Sequence, residues 1–258
     1  MNSSIDLLAG RTAIVTGGGN GIGRAYAHRL AAAGANVVVA ELDGAAGGRV
    51  AEEITAEGGT AVATPTDVAD EASTLEMARI AIEAYGGIDI LVNNAAVFAT
   101  IPISRAGFED ISVDEWDLVM KVNLRGTWLP CRAVVPTMRE QGYGKIINIS
   151  SDTAFKPTPG RSHYVASKAG IAGFTRTLAT ELGPDGIRVN CIAPGKTLSV
   201  EDADEEVLAA HERAAATQVL PGVMRAEDMT GPVLFLAGPD SDFITGQTLL
   251  VNGGATMH

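Results

Sequence analysis

The segment Thr12–Gly23, "TAIVTGGGNGIG", contains the turn on which the predicted fold depends. Its first five residues are β-branched or apolar and indicate a short buried strand. A cluster of glycines follows directly, and "IGRAYAHRLAAAGA" (22–35) then has the composition of a helix. Glycine allows a tight backbone turn and lets a ligand approach the start of the helix closely. The segment therefore predicts a strand, a ligand-binding turn and a helix, in that order.

The same alternation of short apolar runs and longer helical stretches continues to the end of the chain. Six further runs indicate strands: "NVVVAEL" (36–42), "TAVATPTDV" (60–68), "IDILVNNAA" (88–96), "GKIINISS" (144–151), "IRVNCIAPG" (187–195) and "QTLLVNGG" (247–254). Long helices are predicted over 113–142 and 164–183, among others. Such strands predict a doubly wound α/β fold, a seven-stranded parallel sheet with helices on both faces. No linker or repeat interrupts it, so one domain is predicted over 1–258.

One segment, 196–224, departs from this alternation. It lies between the sixth strand and the next helix and carries five acidic residues within Glu201–Glu206. It is either a solvated surface segment or a lid, because ligands of doubly wound folds bind beyond the carboxyl ends of the strands.

Composition excludes several classes of function. The chain has 258 residues and a formal net charge of −12, which disfavours binding to nucleic acids and to anionic membranes. Its two cysteines and four histidines show no spacing typical of a metal site, so no metal is expected. No signal peptide or membrane-spanning run is visible, and a cytoplasmic location is expected.

The glycine turn fits the pattern T-G-x-x-x-G-x-G rather than G-x-G-x-x-G. Thr16, Gly17, Gly21 and Gly23 occupy its fixed positions, and a pyrophosphate is the expected ligand. The next strand ends at Glu41, where a carboxylate would accept hydrogen bonds from ribose hydroxyls and repel a 2′-phosphate. NAD is therefore preferred over NADP. The alternative is that Glu41 or Asp43 only caps the following helix.

A tyrosine and a lysine four residues apart, Tyr164 and Lys168 in "SHYVASKAG", lie on one face of a predicted helix. Together with "TGGGNGIG", "TDV", "NNAA", "VNLRG", "NISS", "IAPG" and "FITGQTLLVNGG", in that order along the chain, they resemble the single-domain branch of the short-chain dehydrogenase/reductase family, which has a Rossmann-like fold. The resemblance covers nearly the whole chain.

The resemblance implies four catalytic residues. Tyr164 exchanges a proton with the substrate oxygen, and Lys168 binds the nicotinamide ribose and lowers the pKa of the tyrosine. Ser151, the second serine of "NISS" and 13 residues before Tyr164, orients the substrate. Ser150 is the alternative, otherwise a packed hydroxyl. Asn123 holds a water of the proton relay, or is a satisfied amide in a helix.

The resemblance also implies cofactor contacts beyond Tyr164 and Lys168. They are Gly17, Asn20, Gly21, Ile22, Gly23, Glu41, Leu42, Asp67, Val68, Asn94, Ala95, Pro194, Gly195 and Thr197, with Asn93 beside the groove. Lys196 and Ser199 depart from the family pattern after "PG", which weakens the predicted carboxamide contacts.

The substrate is predicted only by class. Expected pocket residues are Phe98, Thr153, Phe155 and His163. The favoured activity is NAD(H)-dependent interconversion of a small or medium, mostly apolar secondary alcohol and its ketone, since the acidic segment disfavours large anionic thioesters. The alternatives are an NADPH-dependent 3-oxoacyl thioester reductase and, remotely, a non-catalytic dinucleotide-binding regulator. A homotetramer or homodimer is expected through the two long helices and the C-terminal segment.

Overall fold

The computed structural model describes residues 6–98, 101, 103–156, 158–200 and 203–257. Seven strands form one sheet in the order β3-β2-β1-β4-β5-β6-β7, and each neighbouring pair is parallel. The strands are β1 (Thr12–Thr16), β2 (Asn36–Glu41), β3 (Thr60–Pro65), β4 (Ile90–Asn93), β5 (Gly144–Ile149), β6 (Ile187–Pro194) and β7 (Thr248–Val251). The predicted doubly wound α/β fold is confirmed.

Helices cover both faces of this sheet. They are α1 (Gly21–Ala32), α2 (Gly44–Ala56), α3 (Glu71–Tyr85), α4 (Val113–Val119), α5 (Gly126–Gln141), α6 (Ser162–Leu182), α7 (Glu205–Ala215) and α8 (Thr230–Ala237). One core packs α1, α2 and α8 against the sheet through residues such as Tyr26, Ile54 and Val233. The opposite core packs α3, α5 and α6 through residues such as Met77, Val134 and Leu182.

The order of the strands reverses between β1 and β4. From β1 the sheet continues through β2 to β3 on one side. On the other side it continues from β4 through β5 and β6 to β7. The loops that leave the carboxyl ends of β1 and β4 therefore diverge and leave a crevice, which is where doubly wound folds bind ligands.

The long helix expected over 113–142 is interrupted. Met120–Arg125 form a π-helical turn between α4 and α5. A π-turn bonds each residue to the fifth along the chain, is costly, and is often found at functional sites. Hydrophobic spacing is nearly the same on both sides of it, so sequence periodicity did not reveal the break.

The segment after β6 is a loop that contains α7, and a hydrogen bond joins its two ends. Leu198 donates its N–H to Met224 O at 2.8 Å, which joins its two ends. Between them α7 has no buried residue. Asp204 caps α7 by accepting from Val207 N, and Glu205 and Glu206 lie in the first turn, where negative charge stabilises a helix. These three acidic residues therefore have a local role in starting α7, while residues 201 and 202 lie outside the described part.

Candidate active site

The glycine turn between β1 and α1 has a backbone that side chains would obstruct. Gly17 and Gly21 have φ of 62° and 54°, in the left-handed region. A Cβ on Gly23 would lie 2.0 Å from the carbonyl oxygen of Gly17. The turn therefore requires glycine at these positions and leaves main-chain groups open at the start of α1, a cradle that fits a pyrophosphate.

Asn94 connects this turn to β4. Its Nδ2 donates to the carbonyl oxygens of Thr16 and Gly17, both at 3.1 Å, and Thr16 Oγ1 accepts from the N–H groups of Asn94 and Ala95. The Asn94 side chain is thus occupied in holding the turn. Asn93 points into the core, where it donates to Asn148 Oδ1 and is almost fully buried, so it does not line the crevice.

Glu41 lies at the end of β2 beside the glycine turn. Its Oε2 accepts from Gly19 N at 3.0 Å and its Oε1 accepts from Asp43 N at 3.3 Å. Asp43, not Glu41, caps α2. Arg49 is an unexpected neighbour, because it donates to Gly19 O and to Asn20 Oδ1, both at 3.3 Å.

The remaining predicted cofactor residues lie around the same crevice edge. Asp67 accepts from Ala69 N and holds the turn after β3, and Val68 packs against Gly126 of α5. Leu42 is exposed, and Ile22 is partly buried in α1. After β6, Gly195 donates its N–H to Val251 O, and Thr197 Oγ1 donates to Gly195 O. Pro194 is the last residue of β6.

Ser151 lies just past β5, where it caps a short 3₁₀ turn. Its Oγ accepts from Thr153 N at 3.3 Å and from Thr153 Oγ1 at 3.0 Å, and it lies close enough to Tyr164 to lower the pKa of the tyrosine hydroxyl. Ser150 is turned away, because its Oγ donates to the carbonyl oxygen of Lys168 at 2.7 Å. The geometry therefore favours Ser151 over Ser150 as the serine that faces a substrate.

Tyr164 and Lys168 project from the same face of α6 into the site. Burial raises the pKa of Tyr164 to about 12; the side chain of Ser151 and the charge of Arg161 lower it, and Asp152 raises it. Burial lowers the pKa of Lys168 to about 8, and its Nζ donates to Ile149 O at 2.8 Å. The lysine was expected to lower the pKa of the tyrosine. In the protein alone the loss of water around Tyr164 outweighs nearby positive charge.

Asn123 lies in the π-turn and is fully buried. Its Oδ1 accepts from Val97 N at 2.9 Å, and its Nδ2 donates to Ser167 Oγ at 3.2 Å. Its carbonyl oxygen accepts from Thr127 Oγ1 at 2.7 Å. The side chain therefore joins the loop after β4 to α6, one helical position before Lys168.

The expected pocket residues separate into two groups. Phe98 is 41% exposed, and its ring lies 4.9 Å from that of Tyr164, while Thr153 lies beside Ser151. Phe155 follows the 3₁₀ turn and is partly buried. His163 differs from the expectation: it is fully buried, and its Nε2 lies 3.2 Å from Glu115 Oε1 of α4. A residue next to Tyr164 on a helix is rotated about 100° from it, which turns His163 away from the pocket.

Sequence reasoning missed a positive side to the site. The guanidinium of Arg161 lies 4.8 Å from the centroid of the Phe98 ring, and its charge acts on Tyr164. Arg161 directly precedes α6 and its backbone is not helical, with φ of −148°, so no helical spacing pointed to it in the sequence.

The comparisons with known proteins agree with one family. A family model described as enoyl-(acyl carrier protein) reductase matches residues 17–256. The trans-4-hydroxycyclohexanecarboxylate dehydrogenase of Sinomonas cyclohexanicum is 36% identical, over 99% of this chain and 96% of that protein. The human dehydrogenase/reductase SDR family member 4 is 36% identical, over 96% of this chain and 88% of that protein. The crystal structure of levodione reductase matches with a TM-score of 0.88 and 30% identity, over 95% of this chain and 97% of that one. The chain belongs to the short-chain dehydrogenase/reductase family.

Membership makes the protein an oxidoreductase that acts on CH–OH groups of small molecules with a nicotinamide dinucleotide. The described residues include no helix that is long and apolar enough to cross a bilayer. Nor do they contain three metal-ligating side chains grouped together.

Proposed function

We propose that the protein is an NAD(H)-dependent oxidoreductase that interconverts a small or medium, mostly apolar secondary alcohol and its ketone. The observation that carries this proposal is the convergence of Ser151, Tyr164 and Lys168 beside the Phe98 ring. The relative named for a hydroxycyclohexanecarboxylate supports a secondary alcohol on a carbon ring.

Tyr164 is the proposed acid and base. With a pKa raised to about 12 by burial, its hydroxyl is protonated near neutral pH and can donate to a ketone oxygen. Ser151 contacts the tyrosine and donates to or accepts from the same substrate oxygen, which fixes its position. The nicotinamide ring supplies or accepts the hydride when the cofactor is bound.

Lys168 and Asn123 support the tyrosine. Lys168 uses one N–H on Ile149 O and retains two for a ribose hydroxyl and for water. Asn123, held by Val97 and Ser167, keeps the loop after β4 against α6. We propose that the proton reaches bulk water through a water held near Asn123.

Cofactor preference is proposed from Glu41. Its carboxylate, oriented by the N–H groups of Gly19 and Asp43, is suited to accept from both adenosine ribose hydroxyls and would repel a 2′-phosphate. Arg49 acts in the opposite sense, because a cation beside Asn20 would attract a 2′-phosphate. Arg49 is 3.9 Å from Glu53, which partly offsets its charge, and this supports the proposed preference for NAD.

We also propose one catalytic domain over 1–258 with a lid at about 196–224, since Ser199 packs against the position of Gly21 in the cofactor turn.

A homotetramer or homodimer is supported by exposed apolar side chains on α4, on α5 and near the C-terminus, such as Trp116, Trp128 and Leu249. Both cysteines are free and buried, which supports a reducing cytoplasm.

A panel assay tests the function. The purified protein is incubated with NAD and a series of secondary alcohols, and with NADH and the matching ketones. Turnover of simple alcohols or ketones supports the proposal. Turnover of β-ketoacyl thioesters with NADPH, and of no simple ketone, would replace it with the thioester reductase alternative.

A further inference from the structure

One positively charged side chain lies beside the proposed catalytic tyrosine, and the charges of three others act on it or on one another, in a chain whose net charge is −12. This cation cluster comprises Arg105, Arg161, Lys196 and Arg213. Arg161 precedes α6, Arg105 belongs to the loop before α4, and Lys196 and Arg213 belong to the segment after β6. Three separate parts of the chain therefore bring like charges to one place.

Arg161 is the member of the cluster that contacts the proposed site. Its guanidinium lies 4.8 Å from the centroid of the Phe98 ring, and that ring lies 4.9 Å from the ring of Tyr164. Its Nε is buried and has no hydrogen-bond partner. A buried donor without an acceptor is unusual and calls for a group that the protein itself does not supply.

Arg105 lies next to this position, and the charges of Arg161 and Arg105 act on Lys196. A Cβ on Gly160 would lie 2.9 Å from Arg105 Cγ, so Arg105 crosses the residue before Arg161, and Ala106 N donates to Gly160 O at 3.1 Å. Lys196 Nζ donates to the carbonyl oxygen of Ala210, a neutral acceptor, and keeps two N–H groups.

No carboxylate of the described residues neutralises the cluster. None of the four side chains forms an ion pair with an acidic residue in that part of the chain. Burial lowers the pKa of Arg161 and of Lys196, and the charges of their cationic neighbours lower both further. Like charges held together without an acid repel one another, and an anionic ligand would relieve this.

We propose that the substrate carries a carboxylate, which Arg161 binds while Arg105 and Lys196 flank it, and that the carbinol or ketone end lies at Tyr164. This inference rests on the proposed function and names its substrate class: a hydroxy acid or oxo acid with an apolar skeleton. Phe98 contacts both Arg161 and Tyr164, so the skeleton between the two groups packs on that ring. A planar guanidinium pairs with a carboxylate through two parallel hydrogen bonds.

A binding experiment tests the anion subsite apart from turnover. The protein is saturated with NADH and titrated with cyclohexanecarboxylate and with cyclohexanecarboxamide, which have the same skeleton and cannot be oxidised at a carbinol. Isothermal titration calorimetry measures both dissociation constants. We expect the carboxylate to bind about 10–100-fold more tightly than the amide, and this preference to decrease with added salt.

Three variants test which side chain is responsible for the preference for the carboxylate over the amide. Arg161→Met should abolish it, and Lys196→Met should reduce it by about 3–10-fold, as expected for a more exposed charge. Arg29→Met, which removes an exposed arginine from α1, should leave it unchanged. Equal binding of carboxylate and amide, a preference that survives in Arg161→Met, or no binding of the carboxylate overturns the proposal.

Turnover of a neutral ketone and of an anionic ketone separates this proposal from the proposed function. Cyclohexanone and 4-oxocyclohexanecarboxylate are assayed with NADH in the same preparations. Reduction of both without any carboxylate preference overturns the anion subsite alone. Carboxylate preference in binding, with reduction of neither ketone, supports the subsite and contradicts the proposed reaction.

Discussion

Glu41 accepts a hydrogen bond from the main-chain N–H of Gly19 at 3.0 Å, and a Cβ at Gly19 would lie 2.7 Å from Glu41 Cγ. The carboxylate and the glycine turn are thus packed directly together. Absence of a side chain at Gly19 is what lets the end of β2 reach the turn that follows β1. One hydrogen bond therefore links the residue that is proposed to bind the ribose with the turn that is proposed to bind the pyrophosphate.

Replacing Glu41 should change cofactor choice. Glu41→Ser removes the acceptor for the ribose hydroxyls and the repulsion of a 2′-phosphate, and leaves Arg49 nearby. We expect NADH to bind about 10–100-fold more weakly, because hydrogen bonds to a charged group are lost, and NADPH to bind more tightly. Nicotinamide fluorescence titration measures both. Glu52→Ser, an exposed change in α2, is the charge-matched control, and unchanged selectivity in Glu41→Ser contradicts the assignment.

The glycine turn provides a steric test. Gly23→Ala would place a methyl group 2.0 Å from Gly17 O, so the turn must open and dinucleotide binding should be lost. Gly48→Ala, inside α2 with no atom within 4 Å of the added Cβ, should raise the free energy of unfolding by about 0.5–1 kcal/mol. Thermal unfolding with and without NADH compares them. Stabilisation of Gly23→Ala by NADH equal to that of the parent protein would contradict the assigned cradle.

Removal of the tyrosine hydroxyl should affect chemistry and not cofactor binding. Tyr164→Phe keeps the ring that packs on Phe98 but removes the proton donor. We expect kcat to fall by about 10²–10⁴-fold with the Kd for NADH changed by less than about threefold. Stopped-flow measurement of hydride transfer, beside the fluorescence titration, distinguishes the two. A kcat close to that of the parent would remove Tyr164 from its proposed role.

Alcohol oxidation should depend on pH more strongly than ketone reduction. Oxidation needs Tyr164 without its proton, and burial raises its pKa to about 12, so the competent fraction grows as pH rises. We expect kcat/KM for oxidation to increase from about pH 7 to about pH 10, while reduction, which uses the protonated form, does not increase. Initial rates in both directions over that range measure this. An oxidation rate independent of pH would contradict it.

The buried charge of Lys168 should lower the free energy of unfolding of the protein without cofactor. Its native pKa of about 8 lies below its ordinary value of 10.5, so the buried charge is unfavourable at neutral pH. Lys168→Met should raise the free energy of unfolding by up to about 3 kcal/mol below pH 8 while abolishing activity. The unfolded chain binds the proton more strongly, so the gain shrinks between pH 8 and 10.5. Urea unfolding at several pH values checks this, and a destabilised variant at neutral pH would contradict it.

The local pattern of apolar residues predicted the strands and helices of the fold, because each strand and the helix that follows it are consecutive in the sequence. The order β3-β2-β1-β4-β5-β6-β7 was not predicted, because parallel strands with right-handed crossovers allow more than one order. The pair Tyr164 and Lys168 was also visible, since a four-residue spacing fixes a common helix face. Their roles, and those of Ser151 and Asn123, stay predictions until variants are measured.

Features that depend on burial or on distant parts of the chain were not visible. The raised pKa of Tyr164 depends on the loss of water around it, which no spacing reveals. Arg105 and Arg161 lie near each other because two loops that are distant in sequence approach one another, and Lys196, on which both charges act, comes from a third. His163 was assigned to the pocket from its position beside Tyr164, although neighbours on a helix face different ways.

The π-turn at Met120–Arg125 makes the chain length between α4 and α5 a functional quantity. A single-residue deletion there would let α4 and α5 join as one regular helix with better bonding. Everything before the deletion would then rotate by about 100° relative to α5. Asn123 would lose its alignment with Val97 and Ser167, and Trp116 would move to another side of the molecule. The deletion would thus give a more stable helix and a less active enzyme. We expect insertions or deletions in these six residues to reduce activity more often than substitutions do.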